Sequence, residues 1–351
     1  MKDYTEQFRE AVTRARDTDS TLHISGGGTK DFLGRPVDAT ESLDVTAHQG
    51  IVNYHPSELV VTVRAGTLLC ELQAELAENG QKLAFEPPAF GPGATIGGAV
   101  AAGLSGPARP WTGAVRDFVL GCRIINGRGQ VLRFGGEVMK NVAGYDLSRL
   151  MAGAWGTLGI LLDVSMKVLP IPRAGRTLMH ECSLEEAIAG FNRWSARPWP
   201  ISAAWWADGR SCLRLSGAES SVDAVVRELG GEELENDTAF WDSVRELKHS
   251  FFGGDAPLWR LSLAPASPPL ELDGPTALDW GGAQRWLRSR LRAEEIRSAV
   301  ARMGGHAICY ASGEGSSFHP LSADVLKLHQ RLKKSLDPAG LFNPGRMYAE
   351  L

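Results

Sequence analysis

Residues 22 to 34 read Leu22-His23-Ile24-Ser25-Gly26-Gly27-Gly28-Thr29-Lys30-Asp31-Phe32-Leu33-Gly34, a short apolar run that breaks into three adjacent glycines. The run predicts a strand. The glycines expose consecutive backbone N–H groups, because no Cβ blocks the approach and left-handed conformations cost little. Phosphate is the natural guest of such a loop, although the triplet alone is equally a flexible surface turn. Spacing excludes the two familiar phosphate loops. Thr29-Lys30-Asp31 follows Gly28, so neither Gly-x-Gly-x-x-Gly opening a helix nor Gly-Lys-Ser/Thr closing a loop is present.

Upstream, Tyr4, Phe8 and Val12 recur every four residues among charges and predict a short amphipathic helix, not a secretory signal. Downstream, Leu59-Val60-Val61-Thr62-Val63 predicts a buried strand. A helix follows, opened by Gly66-Thr67 with Thr67 as N-cap, carrying Leu68, Leu72 and Leu76, and stopped at Asn79-Gly80. A second glycine-rich stretch runs from Phe90 to Gly106, and Ile96 stands where a dinucleotide fingerprint needs its third glycine. Its small residues suit close backbone approach to a flat or elongated ligand, and Ala99 to Ala102 suit a tightly packed helix equally well. Phe118 to Ile125, the turn Asn126-Gly127-Arg128-Gly129 and the return Gln130 to Phe134 predict an antiparallel hairpin.

Residues 137 to 160 combine a charged turn, a polar-aromatic elbow and the loop Gly156-Thr157-Leu158-Gly159-Ile160. From Ile160 to Val168 the chain alternates, with Ile160, Leu162, Val164, Met166 and Val168 on one face and Leu161, Asp163, Ser165 and Lys167 on the other. Pro170 and Pro172 mark the exit from that strand.

A chain of 351 residues accommodates about two domains. A formal net charge of -4 and a pI near 6.1 argue against nucleic-acid binding, which needs a basic face. The five cysteines, Cys70, Cys122, Cys182, Cys212 and Cys309, contain no Cys-x-x-Cys pair, so no iron–sulfur or zinc site is expected and the thiols read as free. No apolar run approaches the ~18–20 residues of a membrane span. The chain is expected to be soluble, with membrane contact only through a partner.

The second half is different in kind. Trp194, Trp199, Trp205, Trp206, Trp241, Trp259, Trp280 and Trp286 predict an aromatic core, and Val222, Val225, Val226 and Leu229 a helix. Pro265 to Pro269 reads as a loop. A final helix begins near Ser322, shows Val325, Leu328 and Leu332 on one face, and stops at Asp337-Pro338.

Four segments in order carry a family resemblance: Gly26 to Thr29; Ala94-Thr95-Ile96-Gly97-Gly98; Gly113 to Gly121; and Gly144-Tyr145-Asp146-Leu147 with Gly156 to Ile160. Together they resemble the FAD-binding domain of the vanillyl-alcohol oxidase (PCMH-type) flavoproteins. Glu137 to Leu147 and Leu336 to Gly345 resemble, more narrowly, the FAD-binding E-type subunits of bacterial glycolate oxidases. The resemblance implies an α+β fold. A two-subdomain PCMH-type FAD-binding domain (1–172) would precede a smaller α+β cap-like domain (173–320), and a C-terminal helix and tail (321–351) would return to the FAD domain.

The same resemblance assigns cofactor contacts to Gly26, Gly27, Gly28, Thr29, Thr95, Ile96, Gly97, Gly98, Ser105, Gly106, Asp117, Gly159 and Ile160, with the Gly156–Ile160 loop at the adenine end. Covalent attachment in the family uses a His in or just before the first glycine loop, or a Cys in the second. Ser25 and Gly91-Pro92-Gly93-Ala94 stand there and His23 lies two residues too early, so noncovalent FAD is expected. The His-x-Gly-Asp-Gly-Asn-x-His metal and substrate motif of catalytic relatives has no counterpart between His306 and His319, so no metal and no catalytic residue are assigned.

The implied role is the FAD-binding subunit of a multi-subunit glycolate (2-hydroxy acid) oxidase. It would work with a sister FAD-containing catalytic subunit and an iron–sulfur subunit in the cytoplasm, peripheral to the inner membrane through the complex. The alternative is a self-sufficient 2-hydroxy acid dehydrogenase whose substrate carboxylate meets Lys140, Arg109 or Arg116. A cell-wall precursor reductase is a third, more distant reading, against which the Tyr145 elbow and the tail both speak.

Overall fold

The computed structural model describes residues 3–136, 147–310 and 317–351. The first half of the chain runs α1 (Thr5–Asp17), β1 (Leu22–Ser25), β2 (Glu41–Asp44), β3 (Ile51–His55), β4 (Val60–Arg64), α2 (Leu69–Glu78), β5 (Gln81–Lys82), α3 (Ile96–Ala102), α4 (Arg109–Thr112), α5 (Val115–Phe118), β6 (Val119–Ile125), β7 (Val131–Gly135), β8 (Ile160–Lys167) and β9 (Leu169–Pro170). The second half runs β10 (Ala174–Glu181), α6 (Leu184–Ser195), β11 (Ile201–Ala207), β12 (Arg210–Gly217), α7 (Glu219–Leu229), β13 (Glu232–Glu233), α8 (Asp237–Arg245), β14 (Leu258–Ser262), β15 (Thr276–Asp279), β16 (Gln284–Arg288), α9 (Ala293–Arg302), β17 (His306–Cys309) and α10 (Ala323–Leu336).

These elements form two compact units, one of Met1–Leu104, Ala114–Pro170 and Pro320–Leu351, the other of Ser105–Gly113 and Ile171–His319. Residues 105–113, expected with the first domain, group with the second unit. There Trp280 Nε1 donates to Gly106 O at 3.0 Å and the Arg109 guanidinium lies 4.4 Å from the Trp280 ring.

The first unit is built on an antiparallel sheet of order β3-β4-β8-β6-β7, with β1 and β2 forming a parallel pair beside it in sequence and β5 pairing with β9. The β6–β7 hairpin forms as its turn signal predicts. β4 is buried along Val60–Val63 because it lies between β3 and β8. β8 departs from the predicted alternation, since Ile160 to Met166 are all buried. Two of its polar residues find partners within the sheet: Asp163 Oδ2 accepts from Arg123 Nη1 at 2.5 Å, and the Ser165 and Thr62 hydroxyls meet at 2.9 Å, while Asp163 Oδ1 lies 3.4 Å from His48 Nε2. A polar residue that finds such a partner need not face water.

Three local readings shift as well. α2 begins at Leu69, because the Thr67 hydroxyl, expected to cap it, instead accepts from Gly50 N at 2.8 Å. The apolar face of α2 is accordingly Leu69, Leu72 and Leu76. α10 leaves Val325 and Leu328 exposed at 41% and 64%, while its deeply buried residue is Lys333.

The second unit holds an eight-stranded antiparallel sheet of order β13-β10-β12-β11-β15-β16-β14-β17. α6 and α7 cover Leu178, Leu213, Leu215 and Leu278 with Ile188, Phe191, Val222 and Val225, and α9 covers Leu261 and Leu287 with Ile296 and Val300. α6 starts on a reciprocal cap, with Glu186 N donating to Ser183 Oγ and Ser183 N to Glu186 Oε2. Trp205, Trp241, Trp259, Trp280 and Trp286 are buried, and Trp194, Trp199 and Trp206 pack half-buried. Among the described residues no helix is long and apolar enough to cross a membrane.

Candidate functional site

β1 ends at Ser25 and the chain then turns through the three glycines, placing their backbone on the wall of a cleft in the first unit. With its open mouth included, the cleft spans about 870 Å³. Gly26 to Thr29, Thr95, Gly97, Gly98, Gly156 and Gly159 all line it.

The glycines are required for different reasons. Gly28 adopts φ +66, a left-handed conformation that side chains rarely take. A Cβ on Gly27 would overlap the Gly93 carbonyl oxygen, so the two glycine loops press backbone on backbone. A Cβ on Gly97 would come 2.7 Å from the Ala65 methyl, so this glycine serves packing of α3 against the chain end of β4.

The hydrogen bonds separate donors from spacers. Gly97 N donates to Ala65 O at 2.7 Å and Gly98 N to Thr95 Oγ1 at 3.1 Å, so both are already engaged. Among the described residues, no hydrogen bond engages the N–H groups of Gly26, Gly27, Gly28 or Thr29. A row of unused backbone donors in a cleft is what an anionic group needs.

The rest of the cleft comes from far away in sequence. The Asn343 side chain accepts from Ile24 N at 2.8 Å through Oδ1 and donates to Trp155 O at 2.8 Å through Nδ2, tying the tail to β1 and to the Gly156 loop. Trp155 and Asn343 both have positive φ, 52 and 41, and both line the cleft. Two buried cations join them. Lys30 donates to Ala89 O at 3.1 Å, and Arg346 donates to Arg35 O at 2.8 Å with Asp31 at 3.7 Å. Burial lowers the Arg346 pKa from its ordinary value, with Asp31 opposing.

Lys333 anchors this arrangement from α10. Its ammonium donates to Asp337 Oδ2 at 2.7 Å, Thr157 O at 2.8 Å and Phe342 O at 2.7 Å, while Asp337 accepts from Leu341 N and Phe342 N. Leu22 pairs with Phe342 as a parallel bridge. The tail sequence from Asp337 to Asn343 is therefore a hydrogen-bonded knot that seats Asn343 in the cleft.

Of the expected contacts, Ile96 and Ile160 point into the core at 1% and 0% exposure and do not line the cleft. Asp117 is exposed and accepts from Ala114 N at 2.9 Å, closing the first turn of α5. Ser105 and Gly106 belong to the second unit. Gly144, Tyr145 and Asp146, with Lys140, lie outside the described residues. His23, set aside as a strand residue, lies on β1 and lines the cleft. Lys30, Met151, Trp155 and Arg346 also line it and were not anticipated. Arg346 had no signal, but Lys30 adjoined the glycine loop that was singled out.

Nothing here assembles a metal centre: among the described residues no group of three or more His, Cys, Asp or Glu gathers as a ligand set. The cysteines are free, and burial pushes the Cys212 thiol up to about 12, which leaves it unreactive.

A glycine-walled cleft with unused backbone donors, beside an antiparallel sheet and followed by a second α+β unit, defines an FAD-binding oxidoreductase domain. Residues 3–135 match the family described as FAD binding domain. The solved alkyldihydroxyacetonephosphate synthase superposes with a TM-score of 0.69 at 15% identity, covering 97% of this chain and 74% of that one, which shows the fold. The glycolate oxidase subunit GlcE of Escherichia coli (strain K12) is 51% identical over 349 residues, 99% of each chain. The glycolate oxidase subunit GlcD of Bacillus subtilis (strain 168) is 33% identical over 195 residues, 50% of this chain and 41% of that protein. The chain belongs to the family of FAD-binding glycolate oxidase subunits and is an FAD-dependent oxidoreductase subunit.

Proposed function

We propose that this chain is the FAD-carrying subunit of a multi-subunit oxidase that converts glycolate, or a similar small 2-hydroxy acid, to the 2-oxo acid. A sister flavoprotein subunit removes the substrate hydride and an iron–sulfur subunit takes the electrons onward. The observation that carries this reading is 51% identity along 99% of both chains to a protein named as a glycolate oxidase subunit. The missing His-x-Gly-Asp-Gly-Asn-x-His motif supports placing the substrate step on the sister subunit. The complex acts in the cytoplasm, and any contact with the inner membrane runs through the partners.

When bound, FAD supplies two-electron chemistry that no side chain of this chain performs. The chain's own residues hold and orient it. The N–H groups of Gly26 to Thr29 would donate to the pyrophosphate, Thr95, Gly97 and Gly98 let α3 approach closely, and Gly156 and Gly159 would border the adenine end. Lys30 and Arg346 keep the cleft electropositive. With Ser25 and Gly91–Ala94 in the attachment positions, the cofactor is held noncovalently, and denatured protein should release all of it.

The test is anaerobic. The purified chain is given glycolate or D-lactate and its flavin absorbance is followed, alone and co-purified with the two partner subunits. Bleaching only in the complex is expected. Bleaching of the isolated chain at a comparable rate would overturn the division of labour and favour a self-sufficient dehydrogenase.

A further inference from the structure

A second cavity of the first unit takes no part in holding FAD. It is walled by residues of α10 and of the helical turn Leu147–Met151, and spans about 730 Å³ with its open mouth included. Leu158, Leu332 and Met347 make its lining apolar, Arg116 and Arg149 add positive charge, and no lining side chain is acidic. Lys333 lines it too, but its ammonium is spent on Asp337, Thr157 O and Phe342 O.

The apolar surface continues outside the cavity. Leu150, which lines it, is 41% exposed, and on α10 Leu328 and Val325, at 64% and 41%, precede Leu332 by one and two turns on the same side of the helix. These three are half of the six large apolar side chains exposed among the described residues. Apolar side chains gathered in this way mark a surface that another molecule covers. From Val325 to Leu332 the stripe runs about 10 Å along the helix, which is more than a ligand held inside the cavity would cover.

Charge narrows what covers it. The chain has a net charge of -4, yet cations flank the stripe on both sides: Arg116 and Arg149 at the cavity, and exposed Arg331 one turn beyond Leu328. The neighbouring anionic groups are engaged. Asp117, 4.0 Å from Arg116, accepts from Ala114 N, Asp324 lies 3.7 Å from Lys327, and Leu351 O accepts from Gly345 N. An apolar stripe between cations complements an amphipathic segment whose apolar side chains are flanked by carboxylates.

We infer that this side of α10 and the cavity beside it form the docking surface for an acidic amphipathic segment of a partner subunit, one of whose apolar side chains enters the cavity. The inference rests on the multi-subunit reading and gives that reading a place on this chain.

The experiment measures association of the purified FAD-loaded chain with the co-expressed partner subunits, at low and at rising salt. Leu328→Glu and Leu150→Glu should each weaken association about 10- to 100-fold, as for loss of a central interface anchor. Leu328→Lys, which keeps the local sign of charge, should weaken it about two- to tenfold, and Arg149→Glu about tenfold with a flatter salt dependence. Val52→Glu is the control, an exposed apolar residue on edge strand β3, away from the β6 and β7 strands against which the Leu147–Met151 turn packs. It should associate as the unsubstituted chain does. Alone, the Leu328 and Leu150 variants should keep the FAD content and unfolding temperature of the unsubstituted chain.

Unaltered association of Leu328→Glu and Leu150→Glu overturns the inference while leaving the multi-subunit reading intact, and so does equal weakening by Val52→Glu. Earlier unfolding of both isolated glutamate variants would mean that the stripe packs within its own chain. Self-association of the isolated chain that Leu328→Glu abolishes would make the occupant a second copy. Either result overturns the inference. An unsubstituted chain that associates with neither subunit overturns the inference and the multi-subunit reading together.

Discussion

The two units leave different groups without partners. In the first, the unused donors are consecutive backbone N–H groups at Gly26 to Thr29, presented by a loop that only glycine can form. In the second, they include side-chain nitrogens on a regular sheet, Arg260 Nε, Trp259 Nε1 and Trp286 Nε1. A backbone cradle accepts any group of the right charge and shape, whereas a side-chain pair is exchanged by a single substitution. The first set of donors is therefore indifferent to most side-chain exchanges nearby, and the second is not.

Four outcomes would break or sharpen that contrast. The largest effect is expected for Lys333→Ala, which leaves Asp337 buried at 0% side-chain exposure without its counter-charge. Loss of one partner of such a pair costs about 3–5 kcal/mol, so FAD release on heating should move to a clearly lower temperature. Every tryptophan but Trp155 lies in the second unit, so tryptophan emission reports that unit while flavin emission reports the first. Flavin release that stays where it was would mean the knot does not support the cleft.

Gly27→Ala comes next, at about 1–3 kcal/mol for forcing an extra methyl into a closed contact, here the Gly93 carbonyl. It should lower both stability and FAD content, which makes it a poor probe of binding alone. Ser25→Asp is the cleaner probe. It puts a carboxylate on the cleft wall, where like-charge repulsion should weaken FAD on the order of ten- to hundredfold while the unfolding temperature of the FAD-free chain stays put. Equal FAD content in Ser25→Asp and the unsubstituted chain would remove the pyrophosphate from this loop.

The smallest effect is acid sensitivity of the second unit. Burial lowers the His249 pKa from 6.5, with Asp208 opposing, and its Nδ1 accepts from Phe251 N at 3.2 Å, a bond that requires the unprotonated nitrogen. His319 is lowered by burial and by Arg297. Below pH 6.5 the unfolded chain takes up these protons before the folded chain does, so stability falls with falling pH from about that value and is fully present above it. The urea midpoint read from tryptophan emission should be lower at pH 5.5 than at pH 7.5. A midpoint that rises on acidification would contradict the sign.

The glycine loops were legible because their constraint is local: a triplet that tolerates no Cβ announces itself in the sequence. The β6–β7 hairpin was legible for the same reason. The contrary readings share a different cause. Alternation along β8 hides that Asp163 and Ser165 find partners within the sheet, and the spacing of Val325 and Leu328 suggests a buried face where α10 meets water. Lys333 could not be picked from its neighbours because its three acceptors lie at Asp337, Phe342 and Thr157, the last of them 176 positions away. Asn343 sits in the Leu336–Gly345 segment that carried the resemblance, but its clamp between Ile24 and Trp155 depends on contacts that no short window contains.

That clamp sets an order of events for the newly made chain. The cleft wall from Gly26 to Gly98 is synthesised early, yet Asn343 and Arg346, which also line it, follow only after the whole second unit. Cleft assembly thus waits for the tail, and a chain cut short before Asp337 would carry every glycine motif and still present an unfinished site.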